Sequence, residues 1–119
     1  MTFSVDVVLK GHDFAVTETV TIDHDDPTAW TDLVAREVLV EILRAIGRVE
    51  NPKTADRGVV LRGFSWIVEP ANDDVVIAIE IPMGAAVAGP FKIKQAELDA
   101  MITRVLKAER QLTTQETVH

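Results

Sequence analysis

Two charged side chains fall where the apolar pattern of this chain calls for core residues. Glu18 interrupts an alternating segment at 14–22, and Arg62 stands near the start of the most apolar β-like stretch, 59–82. A charge buried alone is expensive, and removing one member of a buried pair costs about 3–5 kcal/mol. Three structural outcomes follow: the two pair with each other, they reach water at a sheet edge, or a bulge turns one outward. The chemical alternative is a pocket in which Arg62 binds an anion or Glu18 acts as a general base. Trp66 and Trp30 are then the apolar walls. Glu18, Arg62, Trp66 and Trp30 are the ligand-pocket candidates.

Other chemistry finds less support. There is no cysteine and no tyrosine, so thiolate catalysis, disulfides and thiolate metal sites are excluded. A nucleophile would have to be serine, threonine or lysine. His12 and His24 fall in turns at opposite ends of one strand, His119 lies in a polar tail, and Ser4 and Ser65 lack the context of a nucleophile elbow. Asp23, Asp25 and Asp26 flank His24 and offer oxygen ligands to a hard cation, but the distal bidentate glutamate of a calcium loop is missing. Asp26 as a helix cap, with its neighbours near the positive helix end, is the simpler reading. Gly84 and Gly89 have the spacing of a phosphate loop, yet Pro90 and Phe91 stand where lysine and a hydroxyl are needed. No catalytic residue, metal ligand or cofactor is assigned, and the balance favours a noncatalytic protein over an enzyme.

The elements that position these residues follow from periodicity. Residues 3–9 alternate as Phe3, Val5, Val7, Leu9, and residues 14–22 as Phe14, Val16, Val20, Ile22, with a four-residue turn at 10–13 between them. Pairing Leu9 with Phe14 places Val7 opposite Val16, Phe3 opposite Val20, and Glu18 opposite Val5. In the second hairpin Ala71 to Asp74 form the turn. Pro70 then faces Val75, Val68 faces Ile77, Trp66 faces Ile79, and Phe64 faces Ile81, all on one face. The opposite face carries Ser65, Ile67, Glu69, Val76, Ala78 and Glu80. Gly63 marks a bulge after Arg62, which leaves the register before it open.

After 23–27, DHDDP, a helix is expected from about Pro27 to about Arg48, stopped by Asn51 and Pro52. Its main apolar arc runs through Val34, Val38, Leu39, Ile42 and Ile46, and Leu33 and Val40 make a second strip that calls for another contact, either the last helix or a second subunit. Residues 83–91 read as a small, apolar connector. Leu98, Met101, Ile102, Val105 and Leu106 then define an amphipathic helix over about 94–110. The expected fold is α+β: a two-layer sandwich of a four-stranded, mainly antiparallel sheet with two helices on one face, in the order ββαββα. Residues 1–112 form its single domain and 113–119 a frayed polar tail. The order resembles the core of the pterin carbinolamine dehydratases, but the paired-histidine motif of those enzymes is absent from this chain, so their activity does not carry over.

Composition narrows the partners. The 119 residues carry a net charge of -7, concentrated in residues 1–35, where Lys10 is the only base against seven acids. With no basic footprint and few aromatic platforms, nucleic acid is not expected as a partner. No apolar run approaches the roughly 20 residues of a membrane span, and the start has no signal-peptide pattern, so a cytoplasmic protein is expected. Apolar surface beyond the needs of one two-layer core points to a self-associating domain, a subunit or adaptor of a larger assembly. Leu33, Val40, Ile67, Val76 and Ala78 are the interface candidates, with a homo-oligomer or other protein as partner. The competing function is a small-molecule-binding protein or minor enzyme with its pocket near Glu18, Arg62 and Trp66.

Overall fold

The computed structural model describes residues 1–26, 29–54 and 58–117. The α+β class is as expected, but the sheet has five strands rather than four. In chain order the elements are β1 (Thr2–Leu9), β2 (Val16–Thr21), α1 (Asp32–Glu50), a 3-10 turn (Pro52–Thr54), β3 (Ser65–Ala71), β4 (Asp74–Ile81), β5 (Gly84–Phe91) and α2 (Gln95–Thr117). The strands lie in the order β2-β1-β5-β4-β3 with every neighbouring pair antiparallel. Two hairpin units are thus joined through β5, and α1 packs over β1, β5 and β2, in the half of the sheet away from β3.

The added strand is the segment 84–91, expected as a connector. Its low β propensity is overridden by position. Ala86 and Ala88 are buried beneath α1, where short side chains let the helix approach the sheet. Gly84 lies so close to β1 that a Cβ there would collide with the Val8 carbonyl. Pro90 is accommodated because β5 is bulged: Val75 pairs with Phe91 and Ile77 with Ala88, leaving two β5 residues opposite Val76 alone. Pairing with β1 has already ended at Ser4 and Gly89, so no ladder bond is asked of the proline.

Both hairpin registers agree with the alternation in the sequence. Phe3 faces Val20, Val5 faces Glu18 and Val7 faces Val16; Pro70 faces Val75, Val68 faces Ile77 and Trp66 faces Ile79. The ends differ. Phe14 is 56% exposed in a longer turn, stacked on His12 with ring centroids 4.9 Å apart, and β2 begins only at Val16. Residues before Ser65 are not strand, and Gly63 has a φ of 77° that favours glycine.

Helix α1 starts later than expected. Thr31, not Asp26, is the N-cap, and its hydroxyl accepts the Val34 N–H at 3.3 Å. Pro27, the expected first helical residue, lies outside the described residues. The buried arc Val34, Ala35, Val38, Leu39, Ile42, Ala45 and Ile46 packs on the sheet as predicted. From the other helix Leu98, Ile102 and Val105 complete the core over β3 and beside α1, so both helices cover the same face. Arg104 donates two bonds to Asp32 and Arg36 one to Glu109, a stagger that makes the helices run side by side in the same direction. Helix α2 continues to Thr117, past the expected end near Arg110.

Candidate functional site

The expected partnership of Glu18 with Arg62 is not made. Glu18 points inward from edge strand β2, and its carboxylate accepts a 3.0 Å bond from Nε of Arg48 in the last turn of α1. The two side chains keep 30% and 31% of their exposure, so the inward charge is solved by a reach to water and a helix-borne cation together. Glu18 sits at a strand edge, one of the outcomes the alternation allows. Its partner was hidden because Arg48 belongs to a helix whose path across the sheet no local pattern reveals.

Arg62 lies outside any strand and is exposed, so it interrupts no inner face. Among the described residues it makes no hydrogen bond or ion pair. It does line a cavity of about 290 Å³, in company with Leu61, Phe64 and Trp66 from the segment entering β3. Thr103, Leu106 and Arg110 close the other side from α2. The irregular backbone at 61–64 builds this hollow: Leu61 turns into the core, Gly63 takes its positive φ, and Phe64 and Trp66 remain half-buried against α2. Gln95 anchors the same helix to the edge strand by donating to the Val68 carbonyl at 2.9 Å.

The four pocket candidates therefore divide. Arg62 and Trp66 share one cavity. Glu18 is held by Arg48. Trp30 is buried beside Phe91, with ring centroids 5.2 Å apart and Phe3 on the other side of Phe91 at 5.0 Å. Arg110 and Thr103 were missed. The signal available for them was their place on the polar flank of an amphipathic helix next to Leu106, and that periodicity carries no information about which strand the flank would meet.

The interface candidates also divide. Leu33 is 79% exposed on α1, whereas Val40 is half-buried against the core. Arg36, one turn before Val40 on the same flank, reaches Glu109, so that flank turns toward α2. The second contact of α1 is the last helix. Ile67, Val76 and Ala78 lie on the outer face of the sheet, which has no helix over it. In the register β3-β4-β5 the central row of this face is Ile67, Ala78 and Val87, and Ala85 pairs with Val8 on the next row. Ile67 is 52%, Val87 44% and Val8 39% exposed. Ile67 and Val87 line a shallow depression of about 330 Å³ whose floor is alanine and whose rim includes Ser65 and Glu80.

The electrostatics of that face are one-signed. No lysine or arginine occurs in any strand. Strand alternation puts Asp6, Glu69, Asp74 and Glu80 on the outer side, where Asp6 accepts the Thr17 hydroxyl at 2.6 Å. The helix layer is mixed in sign and internally paired. Its Asp32–Arg104 pair lies on the surface; the guanidinium hydrogen bonds hold the Asp32 carboxyl below its ordinary 3.8, and Asp32 raises Arg104 in turn.

His24 Nε2 lies 2.8 Å from the Ala29 carbonyl, and among the described residues no group of three or more His, Asp or Glu side chains is placed to hold a metal. The segment from Gly84 to Gly89 is strand, not a phosphate-binding loop. No described helix is long and apolar enough to cross a membrane. No family model matches the chain, and comparisons with curated proteins and with solved structures find no match.

Proposed function

We propose that the protein is a noncatalytic association domain, a subunit or adaptor, whose docking surface is the uncovered outer face of the sheet. What supports the reading is the coincidence of apolar exposure and one-signed charge there. Ile67 and Val87 line a shallow hollow with Val8 on the neighbouring row, and Asp6, Glu69, Asp74 and Glu80 share that face, to which no strand contributes a lysine or arginine. Apolar patches ringed by polar residues mark interaction sites, and complementary charge sets partner choice.

Self-association through this face would bring two sets of carboxylates together, a juxtaposition that costs free energy. The face fits a protein segment that presents aliphatic side chains flanked by lysine or arginine. A fluorescein-labelled Leu/Lys amphipathic peptide, with a Leu/Glu peptide of equal length as its control, tests this by anisotropy. The Leu/Lys peptide binds, the Leu/Glu peptide does not, and the double variant Ile67→Ser, Val87→Ser weakens binding about tenfold by removing buried apolar area. Binding unaffected by that variant sinks the proposal. Sedimentation velocity at rising concentration supplies the rival outcome: a dimer abolished by Val87→Lys would make the face a homo-oligomer interface and overturn the basic-partner reading.

A further inference from the structure

A second site stands apart from the outer face, in the cavity between the entry to β3 and the flank of α2. Its walls are apolar and flat: Phe64 and Trp66 on one side, Leu61 and Leu106 on the others. Its charged groups are Arg62 and Arg110, and among the described residues no carboxylate contributes to the lining. The Thr103 hydroxyl donates to the Asp99 carbonyl at 2.8 Å, so its proton is already committed and the guanidinium groups are the donors the lining offers. The volume of about 290 Å³ stands at the small end of ligand sites, which span roughly 300–1,000 Å³.

We infer that this cavity binds a small amphipathic anion, a carboxylate carried on a planar apolar body. The planar fork of a guanidinium matches a carboxylate in a bidentate manner and is the less hydrated of the two basic side chains. Arg62 is suited to the role because it makes no bond or ion pair among the described residues. Trp66 and Phe64 supply surface for the ring, and the ligand carboxylate gives Arg62 the counter-charge it lacks among the described residues. The cavity opens on the helix side of β3 and the docking face on the other, with Trp66 the residue that lines both.

The test uses 2-naphthoate and its neutral counterpart 2-naphthylmethanol as probes, followed through the indole N–H resonances of the ¹⁵N-labelled protein. Trp66→Phe identifies the Trp66 signal. Titration with 2-naphthoate shifts the Trp66 indole and leaves that of Trp30 in place. The alcohol binds at least about tenfold more weakly, and Arg62→Gln weakens naphthoate by about the same factor while leaving the alcohol unchanged. Because Arg62 is exposed and outside the sheet, the Arg62→Gln protein keeps its thermal midpoint. Absence of any Trp66 shift at about 10 mM naphthoate, a ligand concentration that would detect even millimolar affinity, overturns the inference. Equal affinity for acid and alcohol, or an Arg62→Gln protein that binds naphthoate like the parent, overturns it as well.

Discussion

Replacing Glu18 by glutamine distinguishes the two ways in which this chain could tolerate an inward charge on β2. Were Glu18 fully buried with an obligatory partner, its loss would cost about 3–5 kcal/mol. The geometry instead gives one 3.0 Å hydrogen bond to Arg48, with about 30% of each side chain still in contact with solvent. At that exposure the Coulomb attraction, roughly 1–4 kcal/mol at 4 Å between the water and near-surface limits, is largely offset by desolvation and by ordering of two long side chains. The expected cost of Glu18→Gln is about 0.5–1 kcal/mol, close to a 4 °C fall in Tm for a domain of this size. A double-mutant cycle with Arg48→Met, followed by urea unfolding, should give a coupling of about 0.5–1 kcal/mol that falls in 1 M salt, where screening reaches roughly 3 Å. The parallel cycle with Arg62→Met should be additive within about 0.5 kcal/mol. A coupling above about 2 kcal/mol with Arg48 would refute the half-exposed geometry, and any comparable coupling with Arg62 would refute the assignment of the partner.

Two further perturbations report on the frame. Gly84→Ala should destabilise by about 1–3 kcal/mol or more, because the new methyl meets the Val8 carbonyl and lies 2.9 Å from the Leu9 Cα, both backbone atoms that cannot step aside; Gly58→Ala, with nothing within 4 Å of its Cβ, is the neutral control in the same urea series. The clasp of α1 on α2 should be acid-labile. Asp32 has a folded pKa below its ordinary 3.8, so its contribution is complete above that value and is lost as pH falls through the lower folded one; Asp32→Asn should therefore lower Tm at pH 7 and make no difference at the acid end of the same titration.

What could be read locally was read from periodicity. A side-chain period of two fixes which residues share a face once a turn is located, and Phe3, Val5, Val7, Val68, Ile77 and Ile79 all lie inward for that reason. The apolar arc of α1 follows equally from its 3.6-residue period. The limits of each element were less legible in two places: Phe14 and Phe64 continue the alternation but lie beyond β2 and β3 although β1 reaches Leu9 and β4 reaches Ile81 opposite them, since Phe14 stacks on His12 in the turn and Phe64 follows Gly63, whose φ of 77° breaks the extended backbone.

Strand β5 shows the larger gap. Its alanines and glycines carry almost no β signal, yet they occupy the middle of the sheet, because close approach of β1 and α1 excludes larger side chains. The same insertion determines the candidate sites. By joining the two hairpin units it makes one broad sheet with a continuous outer face, where Val87 meets Ala78 on one side and Asp6 on the other. α1 packs over β1, β5 and β2, which brings Arg48 to Glu18, whereas α2 packs over β3, which leaves Arg62 beside α2. Alternation, helix period and charge placement were thus determined by the sequence itself, through interactions between residues a few positions apart. Partnership across the sheet was decided by the tertiary structure alone, because it depends on which edge the chain returns to, and that choice rests on packing between segments distant along the chain.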